Sequence, residues 1–229
     1  MVSDEESVNL SRWAERWRED RIGWHVNEVN AVLVAHGDSL LSESEENRVM
    51  VPLCGKTLDM VYFAKHRSVA RVVGIDGIQK ALDEFIKEQP DLGIQAGEPT
   101  ECFATMHGDK ISLLKGDFFQ LSTTATGAKF HAVLDRGSLI AIEPTLREAY
   151  VKVMGDVVLA PGGKILLVTV ENENTKREGP PFFMTESDVR QLYECQAWVA
   201  SVQVLNPDNN VRDGGGSISR WYMIEAKKV

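Results

Sequence analysis

Short apolar runs rich in β-branched residues alternate along this 229-residue chain with longer segments of helical period. The runs predict five strands, at 49–54, 70–75, 111–114, 130–134 and 164–170. Apolar side chains at i, i+3 and i+4 spacing predict crossover helices, at 58–66, 78–88 and 145–159. Such alternation is typical of a parallel sheet covered by helices, so the sequence predicts an α/β fold.

The last part of the chain departs from this alternation. A threonine cap predicts a helix over 185–194, and strand-like runs follow at 197–205 and 218–226. The segment 206–217, which contains Asn-Pro and Gly-Gly-Gly, separates the two runs as a flexible connection. We expect an antiparallel hairpin here, which brings the predicted sheet to seven strands.

Two tryptophans mark the region ahead of the sheet. Trp13 and Trp17 fall on one face of a predicted helix over 10–20. This helix either packs on the sheet as an additional core layer or covers a ligand pocket as a lid. We expect one domain that spans the whole chain, with residues 1–47 as an N-terminal helical lid and residues 48–229 as the α/β core.

Charge and cysteine content narrow the function classes. A formal net charge of -9, from 34 acidic and 25 basic residues, repels a polyphosphate, so nucleic acid is not an expected partner. Cys54, Cys102 and Cys195 form no CxxC pair, which indicates a reducing compartment rather than a disulfide framework or zinc site. We expect no metal site, no membrane span and no signal sequence, and therefore a cytoplasmic protein. A monomer is the default because no coiled-coil seam is present.

The residues directly after the predicted strands are the candidates for ligand contact, because ligands of open α/β sheets bind beyond the carboxyl ends of the strands. Gly55, after the first strand, permits a tight turn and a close approach of the backbone. Asp76 ends the second strand, 21 residues later. A carboxylate there can accept hydrogen bonds from a ribose diol, and the alternative is an N-cap for the next helix.

The third and fourth strands also end in polar residues. Asp117 can accept a hydrogen bond from an adenine amino group while Phe118 covers the base, or the two can form a simple turn with Phe118 in the core. After the fourth strand, Asp135 and Arg136 are adjacent. They form either a structural pair or a site in which the arginine binds an anionic group of a ligand.

These segments, with the seven-stranded pattern, resemble the class I S-adenosylmethionine-dependent methyltransferases, and more narrowly the thiopurine S-methyltransferase family. The resemblance is carried by Trp13-x-x-x-Trp17, Gly23-Trp24-His25, Pro52-Leu53-Cys54-Gly55-Lys56, Gly116-Asp117-Phe118-Phe119, Asp135-Arg136-Gly137 and Gly179-Pro180-Pro181-Phe182. It implies a Rossmann-like class I methyltransferase fold with S-adenosyl-L-methionine as cofactor. It also implies methyl transfer to the sulfur of a small thiol, aromatic or heterocyclic in kind.

The resemblance further implies where ligands bind. The cofactor would lie under the N-terminal helix, in contact with Trp13 and Trp17, and Trp24 would stand beside the methyl acceptor, where the family commonly has Phe. The other cofactor contacts that it implies are Leu53, Gly55, Asp76, Asp117, Phe118 and Arg136. Asp76 occupies a position where the family often has Glu.

Methyl transfer from a sulfonium requires alignment of donor and nucleophile and exclusion of water more than it requires a catalytic triad. We hypothesise that Arg136, together with Arg212 in the late loop, stabilises the anionic form of the acceptor. Asp20, in the lid segment, is a candidate proton acceptor, with a solvated surface carboxylate as the alternative. His25 is expected to be a packed or capping residue and Cys54 a small buried apolar residue.

Three alternative functions stay open. The first is a halide or thiocyanate methyltransferase, whose family has features similar to Gly116-Asp117-Phe118-Phe119, Ala141-Ile142-Glu143-Pro144 and Gly179-Pro180-Pro181. The segments Pro52-Leu53-Cys54-Gly55-Lys56 and Asp135-Arg136-Gly137 favour the thiopurine branch over it. The second is methylation of selenium or tellurium oxyanions, and the third is a cofactor-binding protein without turnover that acts through a partner.

Overall fold

A mixed β-sheet forms the centre of the computed structural model, which describes residues 4–44, 46–172, 179–206, 211–212 and 217–228, with the backbone alone at 4–9 and 211–212. The strands of this part of the chain are β1 (Asn47–Pro52), β2 (Val69–Asp76), β3 (Gln95–Ala96), β4 (Ala104–His107), β5 (Ile111–Lys115), β6 (Phe130–Arg136), β7 (Leu159–Glu171), β8 (Val199–Val204), β9 (Val211–Arg212) and β10 (Ile218–Ala226). Their order is β3-β4-β5-β2-β1-β6-β7-β10-β8, and β9 pairs with β10.

This sheet confirms the predicted α/β fold. The five central strands β5, β2, β1, β6 and β7 are parallel, and β10 pairs antiparallel with both β7 and β8. All seven predicted strands are present. The other three, β3, β4 and β9, are two to four residues long, too short to show a period in the sequence. The order of the strands reverses between β1 and β6, which is where ligands of such sheets bind.

Helices cover both faces of the sheet. Those in the described residues are α1 (Asp4–Arg18), α2 (Ala31–Leu40), α3 (Asp59–Lys65), α4 (Gln79–Glu88), α5 (Thr123–Thr126), α6 (Arg147–Val153) and α7 (Glu186–Glu194). The predicted helices at 58–66, 78–88 and 185–194 are confirmed as α3, α4 and α7 to within one residue at each end. The last of them begins with the expected cap, in which Thr185 and Asp188 exchange hydrogen bonds. Within the described part, no helix is both long and apolar enough to cross a membrane.

Two predicted helices differ in their bounds. The helix expected over 10–20 begins earlier and ends at Arg18, and Asp20 then takes a left-handed backbone with φ 54°. The segment expected as one helix over 145–159 is divided into a 3-10 turn (Pro144–Leu146), α6 and a π-helical turn (Met154–Val158). Strand β7 then begins at Leu159, five residues before its predicted start, because Leu159 pairs with Phe130 ahead of an irregularity in the ladder.

Two apolar layers, one on each face of the sheet, form the core. Val49 and Val51 of β1 belong to the layer under α2, α3 and α4, while Met50 belongs to the layer under α6 and α7. Successive side chains of a strand point to opposite faces, so an apolar β1 is buried on both sides and its carboxyl end is held rigidly. The division into a lid over 1–47 and a core over 48–229 stays a prediction.

Candidate active site

A cavity of about 960 Å³ lies at the carboxyl ends of β1, β2, β5 and β6 and is covered by α1 and the segment 21–30. Its size is that of a pocket for a small organic ligand. Most of the side chains predicted for the site line it together. These are Trp13, Trp17, Trp24, Leu53, Gly55, Asp76, Asp117, Phe118 and Arg136.

Of the predicted site residues whose side chains are described, Asp20 is not among those that line the cavity. The side chain of Asp20 is 76% exposed, and its Oδ1 lies 2.5 Å from Nζ of Lys80. The hydrogen bond from Lys80 lowers the pKa of Asp20, which makes this carboxylate a weaker base. This placement does not favour Asp20 as a proton acceptor. The side chain of Arg212 and most of the loop 206–217 lie outside the described residues.

The turn after β1 brings the backbone close to the cavity. Leu53 has φ 41° and Gly55 has φ 53°. A left-handed conformation costs a residue with a side chain roughly 1–2 kcal/mol, so the strain at Leu53 must be offset by its surroundings. The next N–H groups supply that support, because Cys54 N donates to Ile75 O at 2.9 Å and Gly55 N donates to the Asp76 carboxylate at 2.8 Å. At Gly55, a Cβ atom would lie 3.3 Å from Cζ2 of Trp17.

Asp76 connects this turn to the start of α4. The residue is 6% exposed, and its two carboxylate oxygens accept hydrogen bonds from Gly55 N and Ile78 N, both at 2.8 Å. Asp76 therefore holds the turn just ahead of α4, but it is not the N-cap of that helix, which is Ile78. The N–H of Gly77 also acts on this carboxylate, and since a carboxylate has about four acceptor sites, these three backbone donors leave room for a ligand hydroxyl. Burial raises the pKa of Asp76 to about 6 despite these hydrogen bonds.

Asp135 lies below Arg136 and is fully buried. Its Oδ1 accepts from Ser138 N at 3.1 Å and Leu139 N at 3.2 Å, and its Oδ2 accepts from the Tyr150 hydroxyl at 2.9 Å. Burial raises the pKa of this carboxyl to about 6 as well. Of the adjacent pair at the end of β6, Asp135 has the structural role and Arg136 lines the cavity.

The two buried carboxyls predict how stability changes with pH. The pKa of each carboxyl is about 6 in the folded chain and 3.8 in the unfolded chain, so the folded chain binds these two protons more tightly. Protonation of the two carboxyls therefore favours folding below pH 4, and this contribution is lost as the pH rises to about 6. The difference corresponds to roughly 3 kcal/mol for each group. The wild type should lose this contribution as the pH is raised from 4 to 6.5, whereas Asp76→Asn lacks the Asp76 part of it. Denaturant unfolding should therefore show that the variant gains stability relative to the wild type as the pH is raised over this range. A constant difference across this range would contradict the raised pKa.

Helix α1 is attached to both rims of the cavity. On one rim, Trp13 Nε1 donates to Ala141 O at 3.2 Å and Arg12 pairs with Glu143 at 2.7 Å. On the other, Lys80 Nζ donates to Trp17 O at 2.7 Å. Trp17 itself is buried against Ile78 and Ala81 near the start of α4. Both interpretations of the tryptophan helix therefore apply, since α1 packs as a core layer and also covers the cavity.

Three indole rings meet at the mouth of the cavity. The Trp24 ring lies edge-to-face with the rings of Trp13 and Trp17, at centroid distances of 4.9 and 6.2 Å. Trp24 is 36% exposed, and its carbonyl accepts a hydrogen bond from Arg136 Nη2 at 3.3 Å. Indole faces attract aromatic rings and cations, and the guanidinium of Arg16 already lies 5.2 Å from the Trp13 ring centroid and 6.0 Å from that of Trp24, so this end of the cavity suits an aromatic ligand.

The turn after β5 closes the other end. Phe118 is 2% exposed and stacks on Tyr150 with ring centroids 4.5 Å apart. Asp117 accepts from Phe119 N at 2.9 Å and so begins the 3-10 turn Phe118–Gln120. Phe118 is thus a core residue, and both Asp117 and Phe118 line the cavity as well.

Sequence reasoning missed several further cavity residues, among them Arg16 and Asp59. Arg16 lines the cavity, with its Cζ 5.2 Å from the Trp13 ring centroid, and its position three residues after Trp13 could have identified it. Asp59 is 1% exposed and accepts from Asn30 N at 2.8 Å and from the Thr57 hydroxyl at 2.9 Å. It thereby ties the segment before α2 to the turn after β1, a contact without a local sequence signal.

Two other residues of the motifs agree with their simpler interpretations. Cys54 is 5% exposed, and burial raises the pKa of its thiol well above the usual value, so it is not a thiolate. His25 exchanges a hydrogen bond with Asn27 at 2.9 Å. Among the described residues, no three His, Cys, Asp or Glu side chains come together as metal ligands. The absence of a metal from the protein stays a prediction.

Comparison with solved structures agrees with the topology. The chain superimposes with a TM-score of 0.64 on a DhpI-SAM-HEP complex, at 15% identity over 98% of this chain and 99% of that one. It superimposes with a TM-score of 0.61 on the N-methyltransferase NodS from Bradyrhizobium japonicum WM9 in complex with S-adenosyl-L-homocysteine, at 15% identity over 95% and 98% of the two chains. At this identity the match establishes the class I methyltransferase fold.

Sequence comparison identifies the family. The family model for thiopurine S-methyltransferase matches residues 8–224. Thiopurine S-methyltransferase from Pseudomonas fluorescens (strain SBW25) is 36% identical over 83% of this chain and 84% of its own length. A probable thiopurine S-methyltransferase from Danio rerio is 32% identical over 81% and 80%. The chain therefore belongs to the thiopurine S-methyltransferase family and is an S-adenosylmethionine-dependent S-methyltransferase that acts on a small molecule.

Proposed function

We propose that this enzyme methylates the sulfur of small aromatic or heterocyclic thiols, with Trp24 and Arg136 at the acceptor end of the cavity. The observation that carries the proposal is the hydrogen bond from Arg136 to the Trp24 carbonyl, which ties a guanidinium of the cavity lining to the residue whose ring meets those of Trp13 and Trp17. A flat acceptor can stack on the indoles, and the guanidinium can stabilise its thiolate.

The rest of the cavity fits the cofactor. Asp76 has free lone pairs for a ribose diol, and Phe118 offers a ring wall for a base. The absence of a side chain at Gly55, where a Cβ would crowd Trp17, leaves the backbone of this turn open to a ligand. The aromatic faces of Trp13 and Trp17 suit a sulfonium cation. We propose that these residues, with Leu53, Asp117 and Arg136, hold S-adenosylmethionine.

The side chains mainly orient the methyl donor and the acceptor and exclude water from the cavity. When bound, S-adenosylmethionine supplies a methyl group to a nucleophile in an in-line displacement. Helix α1, attached to both rims, excludes water from the cavity, which strengthens the electrostatic effect of Arg136. Heterocyclic thiols ionise readily, so no protein base is needed, which agrees with the placement of Asp20 outside the cavity lining.

A panel of acceptors tests the proposal. Transfer of a labelled methyl group should be at least tenfold faster, in kcat/KM, to a heterocyclic thiol than to an aliphatic thiol, iodide, thiocyanate or selenite. Replacing the indole by Trp24→Ala should lower the rate for the heterocyclic thiol about tenfold, the value of one lost aromatic contact of about 1.4 kcal/mol. The aliphatic thiol is the internal control and should change less than threefold. Preference for iodide or thiocyanate would instead indicate a halide or thiocyanate methyltransferase, and preference for selenite would indicate a methyltransferase of selenium or tellurium oxyanions.

No transfer to any acceptor, together with tight cofactor binding, would favour a cofactor-binding protein that acts through a partner. That outcome would leave the cavity assignment intact and overturn the proposed substrate class.

We further propose a monomer in a reducing compartment such as the cytoplasm. Of the large apolar side chains exposed in the described residues, Leu10, Trp24 and Val26 line the cavity, and Val34 alone lies elsewhere. Isolated exposed apolar residues do not form an interface. The exposed thiols of Cys102 and Cys195 are unpaired, as is typical of reducing compartments. Light scattering at several protein concentrations would overturn the monomer if it gave twice the chain mass.

A further inference from the structure

We infer that Asp135 is a positioning residue for cofactor binding, because one carboxylate holds both the Phe118 wall of the cavity and the turn that carries Arg136. The inference rests on the proposed placement of the cofactor between Phe118 and Leu53. Asp135 is not itself among the residues that line the cavity, so it acts through its neighbours.

The first connection runs through Tyr150. This side chain is fully buried in the wall of the cavity, and its hydroxyl donates to Asp135 Oδ2 at 2.9 Å. Its ring stacks on Phe118 at a centroid distance of 4.5 Å and an interplanar angle of 26°. The hydrogen bond therefore fixes the plane of the ring on which Phe118 rests, and through it the wall proposed for the adenine.

The second connection runs through the turn after β6. Asp135 Oδ1 accepts hydrogen bonds from the backbone N–H groups of Ser138 and Leu139. The Ser138 hydroxyl then donates to Pro52 O at 2.7 Å, at the end of β1. Pro52 precedes Leu53, the residue with a left-handed backbone that lines the cavity. The same carboxylate thus steadies the opposite wall.

Stability alone does not account for a carboxylate at this position. Burial raises its pKa to about 6, so at neutral pH the folded protein holds a charge that water would solvate better. A buried group that opposes folding but organises a cavity is typical of functional sites.

Removal of the Tyr150 hydroxyl is the sharpest test. Tyr150→Phe keeps the stacked ring and breaks only the contact with Oδ2. We expect the Kd of S-adenosylhomocysteine, measured by calorimetry, to rise about tenfold, as for loss of a hydrogen bond to a charged group. Tyr193→Phe is the matched control. Tyr193 is equally buried, and its hydroxyl has no hydrogen-bond partner among the described residues. The Kd of S-adenosylhomocysteine for Tyr193→Phe should therefore differ less than twofold from that of the wild type.

A double-mutant cycle shows whether Tyr150 acts through Phe118. In a Phe118→Leu background, Tyr150→Phe should change the Kd less than twofold, because the ring that it positions is absent. Ser138→Ala breaks the contact with Pro52 O and acts on the other wall. It should raise the Kd at least threefold in both backgrounds, as for loss of a neutral hydrogen bond.

Steady-state kinetics give a second readout. Tyr150→Phe should raise the KM for S-adenosylmethionine about tenfold and change kcat less than threefold, since it affects binding rather than alignment with the acceptor. Wild-type affinity in Tyr150→Phe, or an equal loss in Tyr193→Phe, would overturn the inference. Because calorimetry needs no acceptor, a wrong thiol substrate class would leave these binding results unchanged.

Discussion

Asp76→Asn should weaken S-adenosylmethionine binding by about 100-fold at pH 7. The carboxylate accepts hydrogen bonds from Gly55 N and Ile78 N and keeps lone pairs for a ribose diol. An amide has a single acceptor oxygen, and its NH₂ group would face one of these N–H donors. The variant loses charged acceptors for the ribose and also loosens the turn at Gly55, and two such effects of about 1.4 kcal/mol each give the expected factor.

Stability should change less than affinity. The loss of an acceptor for a buried N–H costs roughly 1–3 kcal/mol. Removal of the buried Asp76 carboxylate, whose pKa is raised to about 6, raises the free energy of unfolding by roughly 3 kcal/mol at neutral pH. Because the two effects oppose each other, the free energy of unfolding should stay within about 2 kcal/mol of the wild type. Denaturant unfolding and calorimetry together measure both quantities.

Asp83→Asn is the control for this experiment. Asp83 is an exposed carboxylate on the same helix, α4, with a hydrogen bond to Gln79. Its replacement removes the same charge at the surface and should change neither affinity nor stability by more than about 0.5 kcal/mol. If Asp76→Asn bound the cofactor within threefold of the wild type, Asp76 would be a structural cap and nothing more.

The sheet and the line of cavity residues were predictable because their signals are local. Each buried strand is a largely apolar run, and Asp76, Asp117 and Arg136 come within three residues of the predicted ends of three of them. Since parallel strands end at one edge of the sheet, residues far apart in sequence meet there without further information. Trp13 and Trp17 are one helical turn apart, so their common face was also a local property.

The parts that were not predicted depend on contacts between distant segments. Arg12 and Glu143 are 131 residues apart, and no pattern around either indicates that they pair. The same holds for Asn30 and Asp59, which are joined by a hydrogen bond across 29 residues. Asp20 follows this rule too. Its position between Trp17 and Trp24 left a proton acceptor and a solvated surface carboxylate open, and the left-handed backbone and the ion pair with Lys80 agree with the second.

For Arg136→Met, kcat/KM with a heterocyclic thiol should fall about 100-fold at a pH below the pKa of the bound thiol, and the pH profile should move upward. The guanidinium lies at the cavity with a donor on the Trp24 carbonyl, and the other donors of its fork remain for a ligand. A cation next to the acceptor favours the thiolate and so lowers the pKa of the bound thiol. Without it, the pH of half-maximal activity should rise by about one unit, which corresponds to about 1.4 kcal/mol. Loss of the oriented hydrogen bonds accounts for the remaining factor of about ten.

Two further variants separate charge from shape. Arg136→Lys keeps the charge without the planar fork, so its pH profile should match the wild type while its rate falls about tenfold. Arg67→Met removes an exposed arginine outside the cavity lining and should leave both unchanged. Arg136→Met also removes the hydrogen bond to the Trp24 carbonyl, and a shift of Trp24 would slow the reaction as well. Since an indole does not titrate, Trp24→Ala should lower the rate without moving the pH profile. An unchanged profile in Arg136→Met would therefore assign the arginine to holding Trp24 instead of stabilising the thiolate.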